Sequence, residues 1–305
     1  MIIMFIASEQ RNWSKMKILV LGATGMVGRS LLRKFEADSE LQVVGTTTRQ
    51  LSIENLLLFR WPKDSLHQLI ESTSPDVIIN VAAYLDHKLL NFDEFARQEA
   101  FTLNADLPLA LSPIAEKIPV LHVSTDGVFS GENPPYTELS FTDGEGVYAE
   151  SKIKGETSLV NGKILRCSIL GRSPNPLISI PNLLLGKPRN SQMELSENEQ
   201  WNGVTSFAFA ELITSLLKND FLASMGKVQH VIPKNPINKI ELFREIAIAI
   251  GRNDLTFIPA ITKAPRSRTL TTINSDFLEE IWRSTSFGQV PTIQEMIKAS
   301  YLKRV

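Results

Sequence analysis

The sequence predicts an α/β protein built on a doubly wound parallel sheet, with a smaller, irregular C-terminal part. Three observations predict this. Short apolar runs rich in Val and Ile alternate with longer, helically periodic segments through the first 170 residues. The first of those runs leads straight into Gly22-Ala23-Thr24-Gly25-Met26-Val27-Gly28. After Leu170 the alternation stops, and Gly171, Pro174, Pro176, Pro181, Gly186 and Pro188 crowd the next stretch.

Strands are expected at Lys17–Leu21, Leu41–Thr46, Leu56–Phe59, Val77–Val81, Val120–Ser124 and Lys163–Ser168. Their apolar character on both sides fits a parallel sheet covered on both faces. Helices are expected at Val27–Glu36, Ser65–Glu71, Asp93–Lys117 with a bend near Pro108, and Ser151–Val160, where Asn161-Gly162 supplies a stop. Repeated β-α-β order implies right-handed crossovers. Beyond Leu170, a helix is expected at Phe207–Leu217 and a strand within 226–233. Pro233-Lys234-Asn235-Pro236 breaks the chain, and helices follow at Lys239–Ile250 and Thr292–Tyr301. The expected organisation is an extension outside the core (1–15), a sheet domain (16–170) to which the chain returns around 203–233, and a mainly substrate-binding part (171–305).

Composition narrows the function classes. Hydrophobic residues make up 43% of 305, enough for a sizeable core, and the charged fraction of 21% argues against disorder. The net charge of -1, without a Lys/Arg run, gives no footprint for nucleic acid or an anionic membrane. The N-terminal apolar run Met1–Ala7 is too short to span a membrane and lacks a basic leader; no other stretch approaches 18 apolar residues. The single cysteine, Cys167, excludes an intrachain disulfide and a Cys-rich metal site. It lies in an apolar run and reads as a core residue in a reducing, cytoplasmic protein. His67, His87, His122 and His230 show no metal-ligand spacing, so no metal is expected, and His122 reads as core. Asp86-His87-Lys88 follows the fourth strand and could border the site.

The glycine loop stands between a strand and a helix. Glycines there allow a tight turn and close backbone approach to a pyrophosphate, which the helix N-terminus attracts. This is a dinucleotide-binding pattern of the Rossmann type. Gly22, Thr24, Gly25, Met26, Val27 and Gly28 are its cofactor-binding residues, with Ala82 and Ala83 at the end of the fourth strand. An acid at the end of the second strand would favour NAD. Here the run is Gly45-Thr46-Thr47-Thr48-Arg49, without an acid, and Arg49 is placed to meet a 2′-phosphate. NADP(H) is therefore favoured over NAD(H).

Tyr148 and Lys152 are spaced i and i+4, on one helix face. An ammonium beside the phenol would lower its pKa from about 10 and fit it for proton transfer. The strand ending His122-Val123-Ser124-Thr125-Asp126 brings Thr125 to the same crevice, where it can hydrogen-bond the same substrate oxygen as Tyr148.

These segments occur in order with Asn80-Val81-Ala82-Ala83, Asn104-Ala105-Asp106-Leu107-Pro108, Ser124-Thr125-Asp126-Gly127-Val128-Phe129-Ser130-Gly131 and Gly155-Glu156. Trp201-Asn202-Gly203-Val204-Thr205-Ser206 and His230-Val231-Ile232-Pro233 extend the pattern. From Met16 onward the chain resembles the extended short-chain dehydrogenase/reductase superfamily, and within it the dTDP-4-dehydrorhamnose reductase family. The resemblance implies that Tyr148 protonates the oxygen of a reduced ketone, that Lys152 binds the nicotinamide ribose and tunes Tyr148, and that Thr125 completes the triad. It implies hydride transfer to C4 of a nucleotide-linked keto sugar, in polysaccharide or glycan synthesis.

The sequence departs from the family at Phe59-Arg60-Trp61, where an Asp near the adenine is common. It departs again at Asp143-Gly144-Glu145-Gly146-Val147-Tyr148-Ala149, where relatives carry a Pro-rich approach and a Gly after the Tyr. Further candidates for substrate contact are Asp126, Asn202, Thr205, Arg266 and Arg268, each with a structural alternative: turn capping, loop shaping or a solvated basic turn. Asn104 is either a water-mediated partner of Lys152 or a kink before Pro108. Two other functions stay open. One is a sugar-nucleotide epimerase or dehydratase, although no Glu occurs in 127–131. The other is a non-catalytic, dinucleotide-binding subunit like the regulatory subunit of methionine adenosyltransferase. A homodimer is an assembly the sequence leaves open.

Overall fold

The computed structural model describes residues 15–85, 93–175 and 179–302. The expected N-terminal extension, apart from Lys15, and Asp86-His87-Lys88 lie outside the described residues.

The sheet is built where the sequence is apolar on both sides. Its strands are β1 (Met16–Leu21), β2 (Leu41–Thr47), β3 (Leu56–Leu58), β4 (Val77–Asn80), β5 (Val120–Ser124) and β6 (Lys163–Arg166). Between them run α1 (Met26–Glu36), α2 (Leu66–Thr73), α3 (Glu94–Phe101), α4 (Leu107–Leu111) and α5 (Val147–Ser158). β7 (Ile169–Leu170), α6 (Ile180–Leu185), β8 (Gln192–Ser196), β9 (Gln200–Trp201) and β10 (Val204–Thr205) lead to α7 (Ser206–Lys218) and α8 (Phe221–Ser224). β11 (Val228–His230), β12 (Ile237–Asn238), α9 (Lys239–Ala249), β13 (Thr256–Ala260), α10 (Ser275–Arg283) and α11 (Ile293–Leu302) complete the chain.

Seven described strands form one parallel sheet in the order β11-β6-β5-β4-β1-β2-β3. The order reverses between β1 and β4, and ligands of such sheets bind at the carboxyl ends of the strands beside that reversal. Leu21 pairs with Asn80 there, so the glycine loop after β1 and the segment after β4 leave the sheet side by side. β11 joins the sheet edge against β6, and α7 packs on α1. One apolar cluster therefore runs from Ile18, Val20 and Ile79 of the sheet to Phe209 of α7, Trp282 of α10 and Met296 of α11.

Several boundaries differ from expectation. The single long helix expected over Asp93–Lys117 is α3, a π turn over Thr102–Asp106, α4 and a 3-10 turn over Ile114–Glu116. Pro108 has no N–H to give the Asn104 carbonyl four residues earlier. The widened turn lets that carbonyl face α5, where a Cβ built on Gly155 would lie 2.0 Å from it. The helix expected from Ser151 starts earlier, at Val147, behind Gly146 at φ +90°. It ends at Ser158 rather than Val160. The strand expected over Lys163–Ser168 divides: β6 stays in the sheet, and β7 turns off to pair with β10. Unexpected are the β13–β8 and β12–β9 pairs and α10, which buries Leu278, Ile281 and Trp282.

Two buried polar clusters bind these parts. Glu156 of α5 accepts from Arg166 of β6 at 2.7 Å, and that guanidinium lies 5.3 Å from the centre of the Phe129 ring. Phe129 stacks on Tyr136 at 4.2 Å. Glu138 accepts from the backbone N–H of His230 at 2.9 Å and of Ile273 at 3.0 Å, and from Thr272 Oγ1. A carboxylate buried with this many donors joins the 136–138 turn to the sheet edge and to the 269–273 segment.

The Gly155 contact makes a stability prediction. Gly155→Ala would normally help a helix, but here it forces α5 off the Asn104 carbonyl. The expected result is destabilisation of about 1–3 kcal/mol, the usual cost of overpacking, read as a lower urea midpoint with an unchanged slope.

Candidate active site

Three segments converge at the carboxyl ends of the strands. The first is the glycine loop. Gly22 has φ +83°, and a Cβ there would lie 2.7 Å from the Ala82 backbone. A Cβ on Gly28 would lie 2.4 Å from the Gly22 carbonyl. Only glycine lets the loop fold this closely against the end of β4. No side chain caps the N-terminus of α1, so its first N–H groups have no side-chain acceptor. A cleft of about 310 Å³ lies over this loop, lined by Gly22, Thr24, Gly25, Thr48, Ala82 and Ala83. Bare helix donors beside a glycine cradle fit a dinucleotide's pyrophosphate and the ribose next to it.

The second segment is the end of β5. Thr125 has extended backbone and caps the one-turn 3-10 helix that follows. Its Oγ1 accepts the Gly127 N–H at 3.0 Å and donates to Asp126 Oδ1 at 3.0 Å. The third is α5, which presents Tyr148 in its first turn and Lys152 one turn later. Thr125 is hydrogen-bonded to the Tyr148 hydroxyl. A side chain on Gly127 would meet both Thr125 and the Tyr148 ring at 3.3 Å, so glycine there keeps the pair together. A cavity of about 490 Å³ opens onto Met26, Thr125, Asp126, Tyr148, Ser168 and Arg268. Met26 follows the glycine loop directly, so this cavity begins where the cradle ends.

The electrostatics differ from the expectation that Lys152 lowers the Tyr148 pKa. Burial pushes the phenol up; the Thr125 hydrogen bond opposes this, and Asp126 adds to it. Lys152 turns its ammonium nitrogen elsewhere. Nζ donates to the Val123 carbonyl at 2.9 Å and lies 3.2 Å from His122 Nε2. The residue is 1% exposed. Burial brings its pKa down to about 8, with Glu156 and Cys167 pulling the other way. Burial also raises Asp126, against the Thr125 hydrogen bond and Arg268. In this arrangement Tyr148 holds its proton and Lys152 is close to losing one.

The remaining candidates divide. Arg268 lines the cavity, and its Nε donates to the Phe129 carbonyl at 2.8 Å. Arg266 stands beside Gly131 on the exposed side of the same turn, outside the cavity lining. Asn202 acts as a loop clamp: its amide pairs both ways with the Leu270 backbone, at 2.6 and 3.0 Å. Thr205 is likewise structural. It is 2% exposed, caps α7 through the Ala208 N–H and accepts from Ser300 Oγ at 2.8 Å. Asn104 binds the Tyr84 backbone at 2.9 and 3.1 Å and donates to Ser151 Oγ at 3.0 Å, pinning the segment after β4 to α5. Val27 sits in α1 behind the loop and packs on the core. Arg49 is exposed one residue beyond Thr48, at the mouth of the cleft.

Sequence reasoning missed Asn80, which joins His122 to the site, and Trp61, which lines the cleft. Cys167, read as core, is buried and also borders the cavity. Among the described residues no group of three His, Cys, Asp or Glu could hold a metal ion, and no helix is long and apolar enough to cross a membrane.

Comparison with known proteins agrees with this fold. The chain is 31% identical over 160 residues to a dTDP-4-dehydrorhamnose reductase of Sinorhizobium fredii, covering 50% of each chain. It is 26% identical over 159 residues to methionine adenosyltransferase 2 subunit beta of Rattus norvegicus, covering 52% of this chain and 47% of the relative. The chain spans about half the length of the curated relatives it matches. Among solved structures, a dTDP-4-dehydrorhamnose reductase of Bacillus anthracis in complex with NADP shares the fold with a TM-score of 0.72. Its identity is 20%, over 95% of this chain and 100% of that one. One from Clostridium acetobutylicum gives a TM-score of 0.71 at 22% identity, over 94% and 99%. The family described as RmlD substrate binding domain matches residues 16–301, nearly the whole described fold. The chain belongs to that family, as the resemblance in its ordered segments implied.

Proposed function

We propose that the protein is an NADPH-preferring reductase of a nucleotide-linked 4-keto sugar, acting in the cytoplasm in polysaccharide or glycan synthesis. The observation that carries this reading is the adjacency of the two cavities. Gly25 lines the cleft over the glycine cradle and the next residue, Met26, lines the cavity of the Thr125–Tyr148 pair, so a dinucleotide on the cradle would reach the wall that holds a proton donor.

Gly22, Thr24, Gly25 and the start of α1 would hold the pyrophosphate, Lys152 the nicotinamide ribose, and Ala82 and Ala83 the cleft wall. A reduced nicotinamide, when bound, supplies the hydride. The chain's own residues do the rest. Thr125 Oγ1 donates to Asp126 and is hydrogen-bonded to the Tyr148 hydroxyl, which keeps the phenol beside it at the cavity. A ketone oxygen placed between Thr125 and Tyr148 takes the phenol proton as it becomes an alcohol. The raised phenol pKa keeps Tyr148 protonated across the neutral range, as an acid in a reduction must be. Arg268, beside Asp126, is placed to meet the anionic diphosphate of the substrate. Arg49 would meet the 2′-phosphate, since no acid on β2 competes for the ribose.

A second reading draws on the methionine adenosyltransferase relative: a subunit that binds the dinucleotide without turnover. The complete set Thr125, Tyr148 and Lys152 favours the enzyme.

Two experiments decide these points. Tyr148→Phe is expected to lower kcat on a panel of nucleotide-linked keto sugars by about 10²–10⁴-fold, the usual contribution of a positioned acid, with dinucleotide binding retained. NADPH binding with no oxidation by any wild-type substrate mixture would favour the subunit. Arg49→Ala is expected to weaken NADPH binding roughly 10- to 100-fold, the loss of a charge-assisted contact of about 1.5–3 kcal/mol, and to leave NADH binding unchanged. Equal loss for both dinucleotides would remove the 2′-phosphate role.

A further inference from the structure

His122 lies on the face of β5 that meets α5, and its imidazole is fully buried. Both ring nitrogens have neighbours. Nδ1 is 3.1 Å from Asn80 Nδ2, and Nε2 is 3.2 Å from Lys152 Nζ. The Asn80 amide has one orientation open to it. Its Oδ1 accepts the Ala82 N–H at 3.1 Å, which an NH₂ group cannot do. Nδ2 therefore faces His122 as a donor, and Nδ1 must accept. A neutral imidazole with a bare Nδ1 carries its hydrogen on Nε2. Burial holds His122 neutral, well below its ordinary pKa, and the charges of Lys152 and Lys227 add to that. The Nε2 hydrogen thus points at Lys152. An ammonium has no lone pair to receive it, whereas a neutral amine has one and can still donate to Val123.

We propose that His122 is a positioning residue for Lys152. Fixed in one tautomer by Asn80, it donates to the neutral amine and turns the tip loose toward the dinucleotide when the amine gains a proton. This rests on the reading that Lys152 meets the dinucleotide ribose.

The surroundings leave the balance to this bond. Burial, the largest effect, opposes the ammonium; Glu156 on α5 and Cys167 after β6 favour it, and the net result brings the midpoint down to about 8. Tyr148, one turn earlier on α5, stays neutral. Glu156 is already committed to Arg166. Asn80 of β4 carries no charge, and Lys227, before β11, acts on His122. Removing the His122 donor removes a stabiliser of the neutral amine, so the Lys152 midpoint must rise. Dinucleotide affinity, which the ammonium favours, should then persist to higher pH.

The test is a titration of the full chain, without dinucleotide, carrying ¹³Cε-labelled lysine, read by NMR. The Lys152 signal is the one absent in Lys152→Met. The wild-type midpoint is expected near 8. His122→Phe should raise it by about one pH unit, a tenfold change in the proton equilibrium. His122→Gln, whose amide can accept from Asn80 and donate to Lys152, should restore it. An unchanged midpoint in a folded His122→Phe would overturn the proposal. Should that variant not fold, ¹⁵N spectra of the wild-type imidazole decide: a proton on Nε2 supports the proposal and one on Nδ1 overturns it. NADPH fluorescence across pH on the same proteins separates the two readings. Absence of any dinucleotide binding would sink the proposed cofactor while the lysine midpoints still report on His122.

Discussion

A lysine buried to 1% exposure, with no carboxylate hydrogen-bonded to it, is the constraint around which this site is organised. Removing a cationic amine from water costs several kcal/mol unless it is paired or gives up its proton. Glu156, one turn further along α5, is the obvious partner, yet it is taken by Arg166 in a fork of three hydrogen bonds. That choice leaves Lys152 to the strand beneath it. Val123 accepts one hydrogen and His122 meets the nitrogen from the side, so burial dominates the charge and Glu156 supports it only at a distance. A lysine governed in this way can change its protonation when a polar ligand arrives. A lysine locked to a carboxylate could not.

Bringing α5 low enough for that contact constrains its other neighbours. Gly155 must be glycine because the Asn104 carbonyl stands where a Cβ would go, and Pro108 has no N–H to draw that carbonyl back into its own helix. The π turn at Thr102–Asp106 follows from the same approach. Asn104 then uses its side chain to hold Tyr84 and Ser151, so one residue fixes both the height of α5 and the path of the chain leaving β4. On the far side, Arg166 extends the contact to Phe129, which continues through Tyr136 toward Glu138 and the 269–273 segment. Arg268, which lines the cavity, hangs from the Phe129 carbonyl in this chain of contacts.

Much of this was legible in the sequence, for identifiable reasons. Strands buried on both faces, such as Val77–Asn80 and Val120–Ser124, carry mostly apolar residues on both sides, a pattern few other structures tolerate. Glycines at Gly22 and Gly28 reveal themselves because the backbone approaches there are closed to other residues. The i, i+4 spacing of Tyr148 and Lys152 survives any shift in where their helix begins. The β8–β13 pair was not legible, since half-exposed strands of five residues with mixed polarity have no distinctive period. The start of α5 was hidden because Gly146 adopts a positive φ just before it, and glycine gives a helix start no side-chain signal. Asn202 and Thr205 look like ligand contacts in one dimension. Their partners, Leu270 and Ser300, are 68 and 95 residues away.

The direction of the Tyr148 shift bears on which way the chemistry runs. A phenol lowered by an adjacent ammonium would serve equally as base or acid. In this fold the ammonium nitrogen is bound beneath, and burial with a neighbouring Asp126 makes the phenolate costly. Asp126 is itself pushed up by burial and takes the Thr125 hydrogen. A proton held this firmly leaves only for a stronger base, and the alkoxide formed by reducing a ketone is one. The apposition therefore favours protonating a developing alkoxide over removing a proton from an alcohol. Ordinary oxidation would require Lys152 to bring its charge up from His122 toward the phenol first. The charge of one lysine, held against the same strand whose end carries Thr125, is what would let the same pair of residues work in either direction.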